Sequence, residues 1–271
     1  MRGSMTFATT LFLSLGLGGL AAAHDTWLLP ARFAVPAGAS VDVAMTSGMS
    51  FPKNESPVAA DRLAGTGVRA PGAAGELKVR GARNGALRLS AALPRDGVAV
   101  LWAMSRPRTL DLEPGDVAHY LEEIGQADTV GKAWEARGRP KWRETYSKAA
   151  KTFVRVGKGG GEAWRDSVDL PLELVPESDP TLVKAGDLFT LRLLWQGNPG
   201  ERVPVVAVGP EGKPHLLRPN AEGRVSFSIT RPGPWLFKAT RIAEITGGAE
   251  WESQFTTLTV KAKASAGATN R

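Results

Sequence analysis

Apolar and polar residues alternate along most of this chain with the two-residue period of a half-buried strand. Val41-Asp42-Val43-Ala44-Met45 shows the pattern clearly. Residues 75–80 and 86–90 repeat it, with Asn84-Gly85 between them as a hairpin turn. Residues 98–102 are more fully apolar, and residues 151–156 return to alternation. Beyond Leu170 strands are predicted at 172–176, 188–195, 203–208, 224–229, 233–240 and 255–260. They are separated by turn chemistry in Asn198-Pro199-Gly200, Gly209-Pro210-Glu211-Gly212 and Asn220-Ala221-Glu222-Gly223.

The stretch from 113 to 145 breaks the period. Val117, Leu121 and Ile124 recur at helical spacing and stop at Gly125, a residue suited to a helix C-terminus. Val130, Ala133, Trp134 and Arg137 predict a second helix ending at Gly138. The fold expected is mainly β, with two antiparallel β-sandwich-like modules and a short helical insertion after the first. The second module reads as Ig-like or transthyretin-like. The expected boundaries are a signal peptide at 1–23, an N-terminal β module at 24–112 and a C-terminal sandwich at 169–262. Between the modules, 113–168 holds the helical insertion, a returning strand and the linker Gly157-Lys158-Gly159-Gly160-Gly161. The tail at 263–271 is expected to be disordered.

The N-terminus changes the picture of where the protein works. Arg2 precedes the short apolar run from Leu11 to Leu20, and Ala21-Ala22-Ala23 follows. Charge, short apolar core and small residues in that order form a secretory leader, too short to span a bilayer as a helix. The mature chain is therefore expected to begin at His24 in the periplasm. There is no cysteine, so thiolate metal sites and cysteine nucleophiles are excluded. The net charge is +7, spread along the chain without a basic block, and nucleic acid is not expected as a partner.

Enzyme signatures are absent: no G-x-S-x-G, no phosphate loop, no H-E-x-x-H and no dinucleotide fingerprint after a strand. No catalytic residue is assigned, and the chain is not expected to be an enzyme. Histidine is the scarce type, with three in the chain. His119 falls on the polar side of the first predicted helix and reads as a surface residue. His215 begins a strand in the second module, where a histidine is more often structural than a ligand. His24 differs, because cleavage would leave it with a free α-amine. Amine and imidazole together form a chelate, and such groups ordinarily titrate near about 8 and 6.5. Nitrogen donors suit nickel, cobalt, copper or zinc, and the adjacent Asp25 adds an oxygen. The candidate metal residues are His24, Asp25 and His215.

Several segments together resemble a bacterial periplasmic family, domain of unknown function 4198, whose members are described as periplasmic components of nickel/cobalt uptake transporters. The segments are His24-Asp25-Thr26-Trp27, Tyr120–Gly125, Arg143-Glu144-Thr145-Tyr146-Ser147-Lys148 with Lys151, and Leu170–Pro176 with Asp179-Pro180. Pro232–Ala239 and Trp251-Glu252-Ser253 complete them. The resemblance implies a non-catalytic accessory protein that binds nickel or cobalt as a captured ion and serves a membrane permease. It also marks a departure: many members have a histidine where this chain has Arg241, and arginine cannot ligate a divalent cation. Two other readings stay open. One is a structural or carbohydrate/protein-interaction sandwich module. The other is a copper enzyme built on an N-terminal histidine, which needs His119 or His215 beside His24.

Overall fold

β-branched and apolar runs, punctuated by glycine and proline turns, make strands the dominant element. The structure, a computed structural model, describes residues 24–200, 202–245 and 250–265. The expected leader and residues 266–271 of the expected tail lie outside them. The first strands are β1 (Asp25–Pro30), β2 (Ala34–Val35), β3 (Ala39–Gly48), β4 (Ser56–Pro57) and β5 (Leu63–Ala70). Then come β6 (Ala73–Gly75), β7 (Lys78–Arg83), β8 (Ala86–Leu93), β9 (Gly97–Ser105) and β10 (Arg108–Leu112). Two helices follow, α1 (Pro114–Glu123) and α2 (Lys132–Ala136), with a π-helical turn between them. The chain continues with β11 (Trp142–Val156), β12 (Leu172–Pro176), β13 (Leu188–Trp195), β14 (Asn198–Pro199) and β15 (Val205–Val208). It closes with β16 (Pro214–Leu217), β17 (Arg224–Ser228), β18 (Gly233–Ile245) and β19 (Glu250–Ala262). The molecule is thus mainly β with a short helical insertion, as the hydrophobic pattern predicts. Asn84 (φ 51) and Gly85 (φ 70) both take the positive φ that a two-residue hairpin between β7 and β8 needs. Gly125 (φ 71) ends the first helix as expected.

Three sheets stack as layers. The middle one has the order β16-β15-β18-β19-β11-β9-β5-β6, with β2 and β10 also on β11. A five-stranded sheet, β1-β3-β8-β7 with β4, covers one face, and a four-stranded sheet of β12, β13, β14 and β17 covers the other. Strand alternation shows this directly on β9. Val98 and Val100 enter the core shared with Leu174, Phe189 and Phe237, while Ala99, Leu101 and Ala103 enter the core shared with Val43, Met45 and Leu89. The helical insertion lies on the same face as the five-stranded sheet. It rests on a cluster of Tyr120, Trp134, Trp142, Tyr146, Trp251 and Phe255. The two sandwiches therefore share one wall, and β19 joins it by pairing in parallel with β11 from Arg143↔Glu250 to Thr152↔Thr259.

β11 begins at Trp142, nine residues before the strand read from alternation. Lys148 disguises the missed stretch, and Lys151, where the reading began, is a second charge in the strand; charged side chains rarely occupy buried strand positions. Both are buried here and both have partners. Lys151 Nζ meets Glu173 Oε1 of β12 at 2.5 Å. Glu173 also accepts from Ser167 Oγ at 2.5 Å and from the backbone N–H of Val168 at 3.0 Å.

Candidate functional site

His24 stands at the head of β1, and the strand behind it is held on two sides. β1 pairs with β3 from Asp25↔Gly48 to Pro30↔Val43. From the middle sheet, Thr257 Oγ1 donates to the Thr26 carbonyl and Thr259 Oγ1 to that of Leu28, each at 2.6 Å. These steps of two lay β1 along β19 in the same direction, so His24 comes over the region of Phe255 and Pro30 over that of Lys261. Trp27 is fully buried against Phe51, ring centroids 5.6 Å apart. Its indole Nε1 has no hydrogen-bond partner among the described residues.

Two lysines clamp the strand's first residues. Lys148 Nζ donates to the His24 carbonyl. Lys238 Nζ of β18 meets Asp25 Oδ2 at 2.7 Å, both side chains being largely buried. Lys148 lies 5.2 Å from the Tyr146 ring centroid and 5.0 Å from that of Phe255. Burial lowers its pKa to about 8, although Asp25 and Glu144 pull the other way.

Carboxylates gather around this point. Burial raises the pKa of Glu123, at the end of α1, and Asp25 raises it further, against the opposing pull of Lys238, His119 and His24. Glu55 titrates low. Burial would raise it, but the backbone N–H groups of Ser50 and Met49 bind its carboxylate and His24 adds to the effect. A pocket of about 360 Å³ opens here, with Asp25, Glu122, Glu123, Lys238, Phe51 and Leu216 among its walls. Three carboxylates against one lysine give the pocket an acidic lining.

Of the residues singled out from sequence, Asp25 lines this pocket and His24 adjoins it. His215 stands apart. Pro214 and Leu216 face the pocket, so strand alternation turns His215 the other way. There its Nε2 lies 3.9 Å from Glu211 Oε1 with the side chain half exposed. His119 is exposed on α1, as its helical position predicts. Arg241 also faces away from the pocket. Leu236 and Lys238 line the pocket, whereas Trp235, Phe237 and Ala239 enter the opposite core, and Arg241 shares their parity. Its guanidinium lies 4.0 Å from the Trp195 ring centroid.

Among the described residues no three histidine, aspartate or glutamate side chains converge to hold a metal by themselves. A metal here would need the His24 amine, which exists only after cleavage, as a donor beside the imidazole and a carboxylate. Sequence reasoning missed Glu123, Lys148 and Lys238. The four-residue spacing of His119 and Glu123 and a lone lysine inside Trp235–Ala239 were the available signals.

A sequence profile for DUF4198, a domain of unknown function, matches residues 21–243. No curated protein matches the chain. Among solved structures, the adhesin InvE of Yersinia pseudotuberculosis is 14% identical, at a TM-score of 0.24, with 90% of this chain and 61% of that one covered. The fibronectin(III)-like modules of Clostridium thermocellum CbhA are 10% identical, at 0.22, with 90% and 98% covered. A Ca2+-stabilized, ice-binding adhesin of an Antarctic bacterium is 11% identical, at 0.24, with 89% and 49% covered. At these scores the likenesses carry no argument about what the chain does.

Proposed function

The chain belongs to the DUF4198 family, and from that premise we propose that it captures a divalent transition-metal ion, nickel or cobalt, at the head of β1. In this reading the protein is exported to the periplasm, performs no catalysis, and hands the ion to a membrane permease. One observation supports it above the others. His24 heads a strand whose next residues are clamped by Lys148 and Lys238, beside a pocket lined by Asp25, Glu122 and Glu123. A fixed strand holds the amine and imidazole of a cleaved His24 in one place, and the acidic lining attracts a cation. Nitrogen donors with few oxygens favour nickel and cobalt over calcium or magnesium. The neighbouring Asp25 supplies the carboxylate in this reading, and His215 takes no part.

Isothermal titration with nickel, cobalt, copper and zinc tests this on the chain beginning at His24, beside a form carrying one extra N-terminal residue. The extra residue and His24→Ala should each weaken nickel or cobalt binding at least tenfold, about 1.4 kcal/mol. Both nitrogens must shed protons to bind, so affinity should fall as pH drops from about 8 to 5.5. Equal binding by the extended form would move the site elsewhere. No binding by any form would leave the structural or interaction-module reading in its place.

A further inference from the structure

We infer that the groove at the other end of β1 binds a small organic anion with a flat apolar body, such as an aromatic carboxylate. The groove has a volume of about 500 Å³, within the range of small-molecule sites. Its apolar lining residues are Leu29, Phe33, Phe153 and four prolines: Pro30, Pro52, Pro180 and Pro234. Among the described residues its charged lining consists of Arg32, Arg155, Lys261 and Lys263, with no carboxylate.

The topology explains why four cations meet there. β11 and β19 are parallel, so Arg155, near the end of one, and Lys261, near the end of the other, emerge at the same edge of the sheet. β1 runs along β19 and delivers Arg32 to that edge through the turn leading into β2. Lys263 is fixed just past β19 by backbone bonds, its N–H donating to Val183 O at 2.8 Å and its carbonyl accepting from Ala185 N at 2.9 Å. Arg155 is braced by donation from Nη2 to the Lys158 carbonyl, which leaves further guanidinium donors for a ligand. The nearest acidic neighbour in sequence to the lining is Asp179. Its Oδ1 accepts from the Thr181 backbone N–H at 2.8 Å and from Thr181 Oγ1 at 2.7 Å, which ties it into its own turn.

Four like charges around one concavity repel one another, and a single anion placed among them relieves that repulsion. The walls then decide which anion. A bare inorganic ion would leave the part-exposed Leu29, Phe33, Pro52 and Pro234 wet, whereas a planar apolar body covers them, and a guanidinium recognises a carboxylate in bidentate fashion. Cations and apolar walls together select a molecule that carries both features.

The test uses the full mature chain with 2-naphthoate as probe, followed by its own fluorescence, beside 2-naphthalenemethanol and acetate. Naphthoate should bind at least tenfold tighter than either control, and its affinity should fall with added salt. Arg32→Glu with Lys263→Glu should weaken naphthoate at least tenfold while leaving nickel titration unchanged, because both residues lie at the end of β1 far from His24. Both side chains are exposed, so the fold should survive, and Arg32→Glu alone provides a second variant with a smaller loss. Equal affinity for the neutral alcohol, or unchanged naphthoate binding in the double variant, would overturn the inference.

Discussion

Lys151 sits in the middle of a sheet, 1% exposed, opposite Glu173, which has no exposed surface. Burial pushes the Glu173 carboxyl up, but the Lys151 charge and the hydrogen bonds from Lys151, Ser167 and Val168 outweigh it and hold it below the usual range. Its contribution to stability is therefore complete above the ordinary carboxylate pKa and is lost as pH falls through the lowered value. Lys151→Met removes the cation paired with the buried Glu173 carboxylate and should cost about 3–5 kcal/mol at pH 7. In that variant the carboxyl should titrate high, so protonation relieves the penalty and the loss should be smaller at pH 4.5. Urea unfolding at both pH values measures the difference, and an equal loss at each would refute this account. Adding Glu173→Gln to Lys151→Met should recover part of the loss at pH 7. Such residues also mark where the chain was hard to read. A lysine at a core position breaks the apolar alternation, and only a partner far along the sequence makes it acceptable. Lys148 and Lys238 escaped sequence reasoning for the same reason, whereas His24 and Asp25 were singled out through the cleavage expected before His24.

Among the elements, the helical insertion was the most legible, since Val117, Leu121 and Ile124 describe one helix face and glycines end it. What it packs against was not legible. Its floor joins Trp142 of β11 to Trp251 of β19, stacked at 4.4 Å with planes 10° apart, and nothing local in either strand announces the other. A buried carboxylate secures the same junction. Glu144 accepts from Tyr120 Oη at 2.9 Å, from Trp142 Nε1 at 2.8 Å and from Ser253 Oγ, tying α1 to both strands. Trp251→Ala should cost about 3–5 kcal/mol by cavity formation. That corresponds to a fall of about 6 °C or more in the melting temperature of a chain this size. Trp251→Phe should cost much less, because the indole Nε1 of Trp251 has no hydrogen-bond partner to lose among the described residues. Comparable losses for the two variants in thermal melts would mean that the indole nitrogen is engaged after all.

The whole molecule is three layers around one shared wall, and this arrangement bears on the proposed C-terminal module at 169–262. Expressed alone, that span keeps the antiparallel pairing of β18 with β19 but lacks β11, so one long edge of β19 is bare. An unprotected edge of that length recruits other strands. The span should give a β-type circular dichroism spectrum and associate with increasing concentration in sedimentation experiments, and supplying residues 24–168 in the same chain should abolish the association. A well-behaved monomer at every concentration would argue against the edge, and a random-coil spectrum against the module. Turns and strand positions on either side of the wall were legible from local pattern. The wall itself was not, because parallel pairing between strands so distant leaves no mark on either one's sequence. The same pairing sets a schedule for the molecule. β19 is the last strand among the described residues, yet it occupies the centre of the middle sheet, between β18 and β11. A chain that arrives N-terminus first can assemble the sheet of β1, β3, β7 and β8 early, but the middle sheet stays open between β18 and β11 until residues 250–262 arrive. Completion is a closing event late in delivery, and a chain cut short before Glu250 loses its keystone rather than its fringe.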